Sequence, residues 1–266
     1  MNDYLLAIIH GIIQGLTEFL PVSSSGHLIL LHNITNFSVK NEILFDVMLH
    51  LATILAVIWF FWNDLKIMLV AWLKSLSGKQ NRESKLAWAI IISTIPAVIA
   101  GLLWGEWLES LRSPLVVVVM LIFVAILFIV VEKWGKHNHS LKHMNYKNSL
   151  AIGLAQALAL IPGTSRSGIT IVAGLAIGIK REAAIRYSFL MSVPIILGAN
   201  AKKITEFSAT GIGFEEVWLY IVAFVTAFVT AFFTIKYFIR YSRDNSLIPF
   251  AYYRFALALL VFLFLV

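Results

Sequence analysis

The sequence predicts an all-α polytopic membrane protein: about six full transmembrane helices plus two re-entrant helical hairpins, arranged as an inverted-topology repeat. Three observations carry this. Of 266 residues, 60% are hydrophobic and only 13% charged, about half the charged fraction usual in soluble domains. Six apolar runs approach the length that crosses a bilayer. Two short polar segments interrupt the apolar pattern, and they resemble each other.

The runs are 43–62, 86–104, 114–131, 184–201, 216–235 and 248–266. Each is close to the roughly 20 residues needed to span a hydrocarbon core, and 184–201 is apolar apart from Arg186 near its start. The first polar segment, QGLTEFLPVSSSGH at 14–27, lies between apolar pieces at roughly 5–20 and 27–36. The second, containing PGTSRSG at 162–168, lies between 148–161 and 167–179. These pieces are too short to span comfortably, but they suit half-helices that meet at a turn within the membrane.

Laying 14–27 over 156–169 without a gap pairs Gln14 with Gln156, Leu16 with Leu158, Ser23 with Ser165, Ser25 with Ser167 and Gly26 with Gly168. Pro21 and Pro162 miss by one. The same offset places 45–57 over 187–199, two apolar segments of equal length. The chain therefore reads as one integral membrane domain, 1–266, built from halves at roughly 1–132 and 147–266 joined by a cytoplasmic loop, 133–147.

Charge sets the expected orientation. The first 20 residues carry Asp3 and no basic residue, so they do not read as a signal peptide. The first lysine or arginine is Lys40. Of 21 basic residues, 15 fall in 63–85, 133–147, 180–186 and 236–243, whereas 105–113 and 204–215 hold one between them. That is the positive-inside pattern, with the four rich segments cytoplasmic. The net charge of +7 thus reports topology, and no nucleic-acid partner is expected. The first hairpin then enters from outside and the second from inside, which inverts one half relative to the other. Non-helical backbone at that depth is stable only where protein or a water-filled cavity surrounds it. With no cysteines, disulfides, thiolate zinc sites and cysteine nucleophiles are excluded.

The polar turns hold the candidate site. Arg166 keeps its charge and needs an anion. That anion is either a phosphate, bound with the short donors Thr164, Ser165, Ser167 and Thr170 at a half-helix N-terminus, or a carboxylate such as Glu18 or Asp46. Ser25 belongs to the opposite SSSG turn, and two facing helix ends suit a diphosphate. Gln14 and Glu18 project from one helix face, four residues apart. Glu18 reads as an acid–base or metal-ligating residue, or as the structural partner of Arg166. His27 titrates in a range suited to proton transfer, although a membrane histidine can equally be a packing residue. Ser24 or Ser25 could be a nucleophile activated by His27, or could cap the half-helix. Asp46 and His50, i and i+4 on one helix, read as a supporting pair. Arg254 reads as an interhelical hydrogen-bonder.

QGLTEFLPVSSSGH followed by a distant IPGTSRSG resembles the undecaprenyl-diphosphate phosphatase family of bacteria, also called the bacitracin-resistance family, over essentially the whole chain. The resemblance implies an enzyme of the bacterial cytoplasmic (inner) membrane whose site opens to the periplasmic face. It would hydrolyse a polyprenyl diphosphate lipid, undecaprenyl diphosphate, to the monophosphate, recycling the carrier for peptidoglycan and other cell-wall glycans and conferring bacitracin resistance. It implies a catalytic set of Glu18, Ser24 and His27, with Ser165, Arg166 and Thr170 holding the diphosphate. Gln14 takes the less usual option at the first position of the family's Glu-or-Gln motif, where it can only orient or hydrogen-bond. A divalent cation, Mg2+ or Ca2+, is implied, with Glu18 its candidate ligand. A homo-oligomer is left open. The alternative from the fold is a carrier of polyprenyl phosphate or another anion, since inverted repeats with broken helices also build transporters.

Overall fold

The computed structural model describes residues 3–35, 37, 39, 41–206 and 214–266. Asn36, Lys40 and most of the basic-poor segment 204–215 lie outside the described residues. Within them, twelve α-helices follow in order: α1 Asp3–Thr17, α2 Ser24–Ile34, α3 Glu42–Phe60, α4 Trp62–Ser75, α5 Arg82–Leu103 and α6 Gly105–Ser110. They continue as α7 Pro114–Trp134, α8 Tyr146–Leu158, α9 Arg166–Ala176, α10 Arg181–Glu206, α11 Phe214–Asp244 and α12 Ile248–Leu265.

Five of these, α5, α7, α10, α11 and α12, are long and apolar enough to cross a membrane. α3 and α4, which bend by 79° where they meet, pass the same test only together, as a broken span or a re-entrant loop, so the candidate spans number five or six. The basic segment 63–85 is therefore largely helical, not a plain connection. Six of the tryptophans that flank the runs, Trp59, Trp62, Trp104, Trp107, Trp134 and Trp218, are each more than half exposed, as suits rings seated at a membrane–water boundary.

The two interrupted segments fold as half-helices. α1, α2, α8 and α9 have 15, 11, 13 and 11 residues, so at 1.5 Å per residue they reach about 16–22 Å, short of a roughly 30 Å hydrocarbon core. Both turns break the helix the same way. Ser23 and Ser165 have φ of 74° and 69°, a left-handed region that serine rarely occupies. Each caps the helix that follows: Ser23 Oγ accepts from Gly26 N at 3.3 Å and Ser165 Oγ from Gly168 N at 3.1 Å.

Packing around the turns follows the same correspondence. α1 packs on α11 and α8 on α5, while α7 pairs with α12 and α3 with α10. A Cβ on Gly15 would lie 2.7 Å from Ala227 O, and one on Gly153 would lie 2.6 Å from Ser93 O. Backbone touches backbone at both contacts, the close approach that small residues permit between membrane helices. The largest core cluster surrounds the turns and includes Phe19, Phe128, Ile171 and Phe189. Phe19, fully buried, meets Phe189 edge-on at 5.1 Å and so anchors the residue next to Glu18.

Candidate active site

The two turns interlock. Gly163 N donates to Ser25 Oγ at 3.2 Å, and Ser167 Oγ donates to Leu20 O at 3.2 Å. Each turn thus satisfies one group of the other, and neither broken helix exposes that backbone to an apolar surround. Gly163, at φ +88°, sits where a Cβ would lie 2.7 Å from the backbone of Val117, so only glycine admits this turn against α7.

Arg254 ties the junction to its surroundings. Fully buried, it donates to Pro21 O in the first turn and to Gly163 O and Thr164 O in the second, at 3.0–3.3 Å. It also donates to Met120 O and Leu121 O of α7. This residue does more than bond two helices: one guanidinium fork gathers the carbonyls of both turns. An arginine in an otherwise apolar final span was the sequence signal for it.

Glu18 lies at the centre, 7% exposed. Arg166 Nη2 donates to Oε1 at 3.0 Å. Oε2 accepts from Gln14 Nε2 at 3.1 Å and from Ser24 Oγ at 3.0 Å. Arg166 thus pairs with Glu18, one of the two kinds of partner open to it in the sequence. Arg166 Nη1 donates to Ser188 O at 3.1 Å, and its Nε is buried with no partner. Gln14 Oε1 is likewise buried without a partner. The centre therefore keeps one unfilled donor and one unfilled acceptor next to a paired charge.

The other predicted donors are already engaged. Ser167 Oγ donates to Leu20 O, so the 3.2 Å contact between Ser165 and Ser167 is Ser165 donating. Thr170 Oγ1 bonds Arg166 O at 2.8 Å and Ser188 Oγ at 2.7 Å. These three hydroxyls build the second turn and hold it to α10. Ser25 differs. It accepts from Gly163 N and lies 3.2 Å from Ser23 Oγ, so its own proton can face outward.

His27 sits apart from Glu18. Its Nδ1 donates to Ser23 O at 2.7 Å, and its Nε2 lies 2.8 Å from Tyr253 Oη, with the two rings stacked at 5.6 Å. The expected contact between His27 and Ser24 or Ser25 is not formed. One turn into α2, the ring follows the capping geometry and meets α12. The histidine that approaches Glu18 is His50, whose Nε2 lies 3.7 Å from Oε2. Its Nδ1 donates to the backbone carbonyl of Asp46 at 2.8 Å, so the supporting pair uses the Asp46 main chain. Tyr253 carried no sequence signal. Ser188 did, since the repeat offset places it over Asp46.

Mg2+ is usually held by one or two carboxylates together with waters and substrate phosphates, so Glu18 is the residue here that would hold the cation implied by the resemblance. Glu18 already accepts from three protein donors, one of them a cation. Among the described residues no three His, Asp or Glu groups converge to hold a metal.

Comparison with known proteins shows the family. Residues 7–260 match the family model described as bacitracin resistance protein BacA. A Rubrobacter xylanophilus protein named undecaprenyl-diphosphatase is 45% identical over 266 residues, covering 98% of each chain. Two others of the same name, from Idiomarina loihiensis and Alteromonas mediterranea, are 38% identical over 98% of each chain and 48% identical over 73% of each chain.

Proposed function

The chain belongs to the bacitracin resistance protein BacA family, and from that premise we propose how its site works as an undecaprenyl-diphosphatase. The enzyme hydrolyses undecaprenyl diphosphate to undecaprenyl phosphate and inorganic phosphate, and so returns the lipid carrier to cell-wall synthesis. The observation that carries this reading is the Glu18 centre: one buried carboxylate bonded to Arg166, Gln14 and Ser24 where two broken helices meet.

Phosphoryl transfer asks mainly for positioning and for positive potential around the phosphoryl oxygens. Arg166 supplies a full charge and an unpartnered Nε–H. The heads of α2 and α9 supply backbone N–H groups that helix geometry leaves without carbonyls. Ser24, bonded to Glu18, holds the attacking water, and Ser25 adds a hydroxyl on the same face. Gln14 orients Glu18 from one turn earlier. His27, bonded to Ser23 and Tyr253, fixes the first turn of α2. Ser165, Ser167 and Thr170 shape the turn that presents Arg166.

An apolar groove of about 490 Å3 runs between α1, α11 and α12, lined by Leu16, Leu20, Val229, Phe233, Tyr237 and Phe250. It begins at the residue that Ser167 binds, so it suits a stretch of prenyl chain. We place the protein in the bacterial inner membrane with the site open to the periplasm, and the two halves as inverted repeats. The clustered basic residues and the paired turn geometry support both assignments. The direct test is phosphate release from undecaprenyl diphosphate in detergent. Wild type should release phosphate, and Arg166→Ala should fall by about a hundredfold or more, the scale of losing a charge-stabilising group. No release from folded wild type would overturn the reading.

A further inference from the structure

We infer that the basic end of the bundle holds a site for an anionic phospholipid, outside the Glu18 centre and independent of the phosphatase reading. Its headgroup phosphate lies among Arg82, Lys85 and Lys142, and one acyl chain fills an apolar groove between α4, α5 and α10. Two elements build the pocket. Asn81 and Ser84 close a capping box at the head of α5, which sets Arg82 and Lys85, three residues apart, on one face of the first turn. Lys142 arrives on a single short turn, Leu141–His143, in the loop that follows Trp134. Leu141 and Met144 pack against the main core cluster and hold that turn in place. The three cations line a pocket of about 340 Å3 whose apolar wall is Leu86, Leu141 and Met144.

Charge balance separates this pocket from the other basic positions around it. Arg181 pairs with Glu132, Arg186 with Asp64 and Arg243 with Glu182, at 2.7–2.8 Å. Arg82, Lys85 and Lys142 form no ion pair among the described residues, and no carboxylate lines their pocket. Asp64 and Glu83 stand in the adjoining mouth, where Arg186 holds Asp64. Three uncompensated cations facing one space fit a phosphate, whose oxygens accept charge-assisted hydrogen bonds from each.

Depth and shape favour a lipid over a soluble phosphate. Arg82 opens α5, a helix long and apolar enough to cross a membrane. The exposed Trp134 ends α7 just before the loop that carries Lys142. Both features set the pocket at the level of lipid headgroups. Arg82, Leu86 and Leu141 also line the adjoining mouth, and Met68 lines both that mouth and an apolar groove of about 260 Å3. Trp72, Ile90, Val193 and Pro194 belong to the wall of the groove. Ile90 follows Arg82 by two turns of α5, about 12 Å deeper at 1.5 Å per residue. A cationic rim at headgroup depth thus runs into an apolar groove, as a phosphate and one chain of the same molecule require.

The test is native mass spectrometry of the purified full chain with added phosphatidylglycerol or phosphatidylcholine, the unfolding midpoint being followed for each variant. Wild type is compared with Arg82→Gln/Lys85→Gln/Lys142→Gln and with Val193→Trp, which fills the groove. A control triple, Lys133→Gln/Lys136→Gln/Lys147→Gln, removes the same charge from exposed positions outside the pocket. Wild type should retain phosphatidylglycerol over phosphatidylcholine by about tenfold or more, since each cation near an anionic headgroup contributes about fivefold. The pocket triple should lose that preference and the control triple should keep it. Val193→Trp should lower retention of the lipid, and inorganic phosphate should not displace it. Equal losses in the two triples would reduce the site to diffuse attraction and overturn the inference. Displacement by inorganic phosphate, with Val193→Trp binding as wild type does, overturns it in favour of a soluble anion. Where the pocket triple does not fold, Arg82→Gln alone decides: about fivefold weaker retention supports the site, and unchanged retention removes it.

Discussion

The Arg166 guanidinium meets the Glu18 carboxylate at 3.0 Å, joining residues 148 positions apart. One comes from each broken-helix turn, and both are largely withdrawn from solvent, at 13% and 7% side-chain exposure. Removing either partner strands the other as an unpaired buried charge, which costs about 3–5 kcal/mol. Removing both does not. Glu18→Gln and Arg166→Gln should each lower the unfolding midpoint in detergent, and the double variant should lose less than the sum by roughly 1–3 kcal/mol. Strictly additive losses would show that the pair does not join the two turns.

Arg254 carries a second prediction. Its five carbonyl partners span the first turn, the second turn and α7, a spread that a planar fork can serve and a lysine point charge cannot. Arg254→Lys should cost about 3 kcal/mol through lost charge-assisted bonds, equivalent to a fall of roughly 5–10 °C in Tm. Phosphatase activity should drop with it, because Pro21, Gly163 and Thr164 lose their common donor. Unchanged activity and Tm in this variant would remove Arg254 from the site's support.

Orientation gives a third. Ser110, at the end of α6, and Ser77, between α4 and α5, are both exposed. In this otherwise cysteine-free chain, Ser110→Cys should label with a membrane-impermeant maleimide in intact cells. Ser77→Cys should label only after permeabilisation. The reverse pattern would turn the protein over and move the site to the other face.

Much of this architecture is legible along the chain, because its causes are local or periodic. Long apolar runs mark α5, α7, α10, α11 and α12, interrupted only by Arg186 in α10 and Arg254 in α12, since a helix in hydrocarbon needs mainly length and apolar side chains. The shared Ser-x-Ser-Gly at a fixed offset marks the two turns, and its backbone consequence appears twice, as positive φ at Ser23 and Ser165. The 79° bend between α3 and α4 has no proline or glycine to announce it.

The site divides along the same line. The sequence by itself determined which residues could meet at the junction: the acid, the arginine, the serines and the glycines that let two chain reversals approach. Only the tertiary structure decided which atoms each of them meets. It committed Ser165, Ser167 and Thr170 to building a turn, sent His27 to Tyr253 and brought His50 to Glu18 from a helix outside either motif. Periodicity and capping act between neighbours in the chain and can be read from it. Hydrogen bonds act within about 3 Å, and which atoms come that close is set by how helices far apart in sequence pack, down to a single glycine contact such as Gly15 on Ala227.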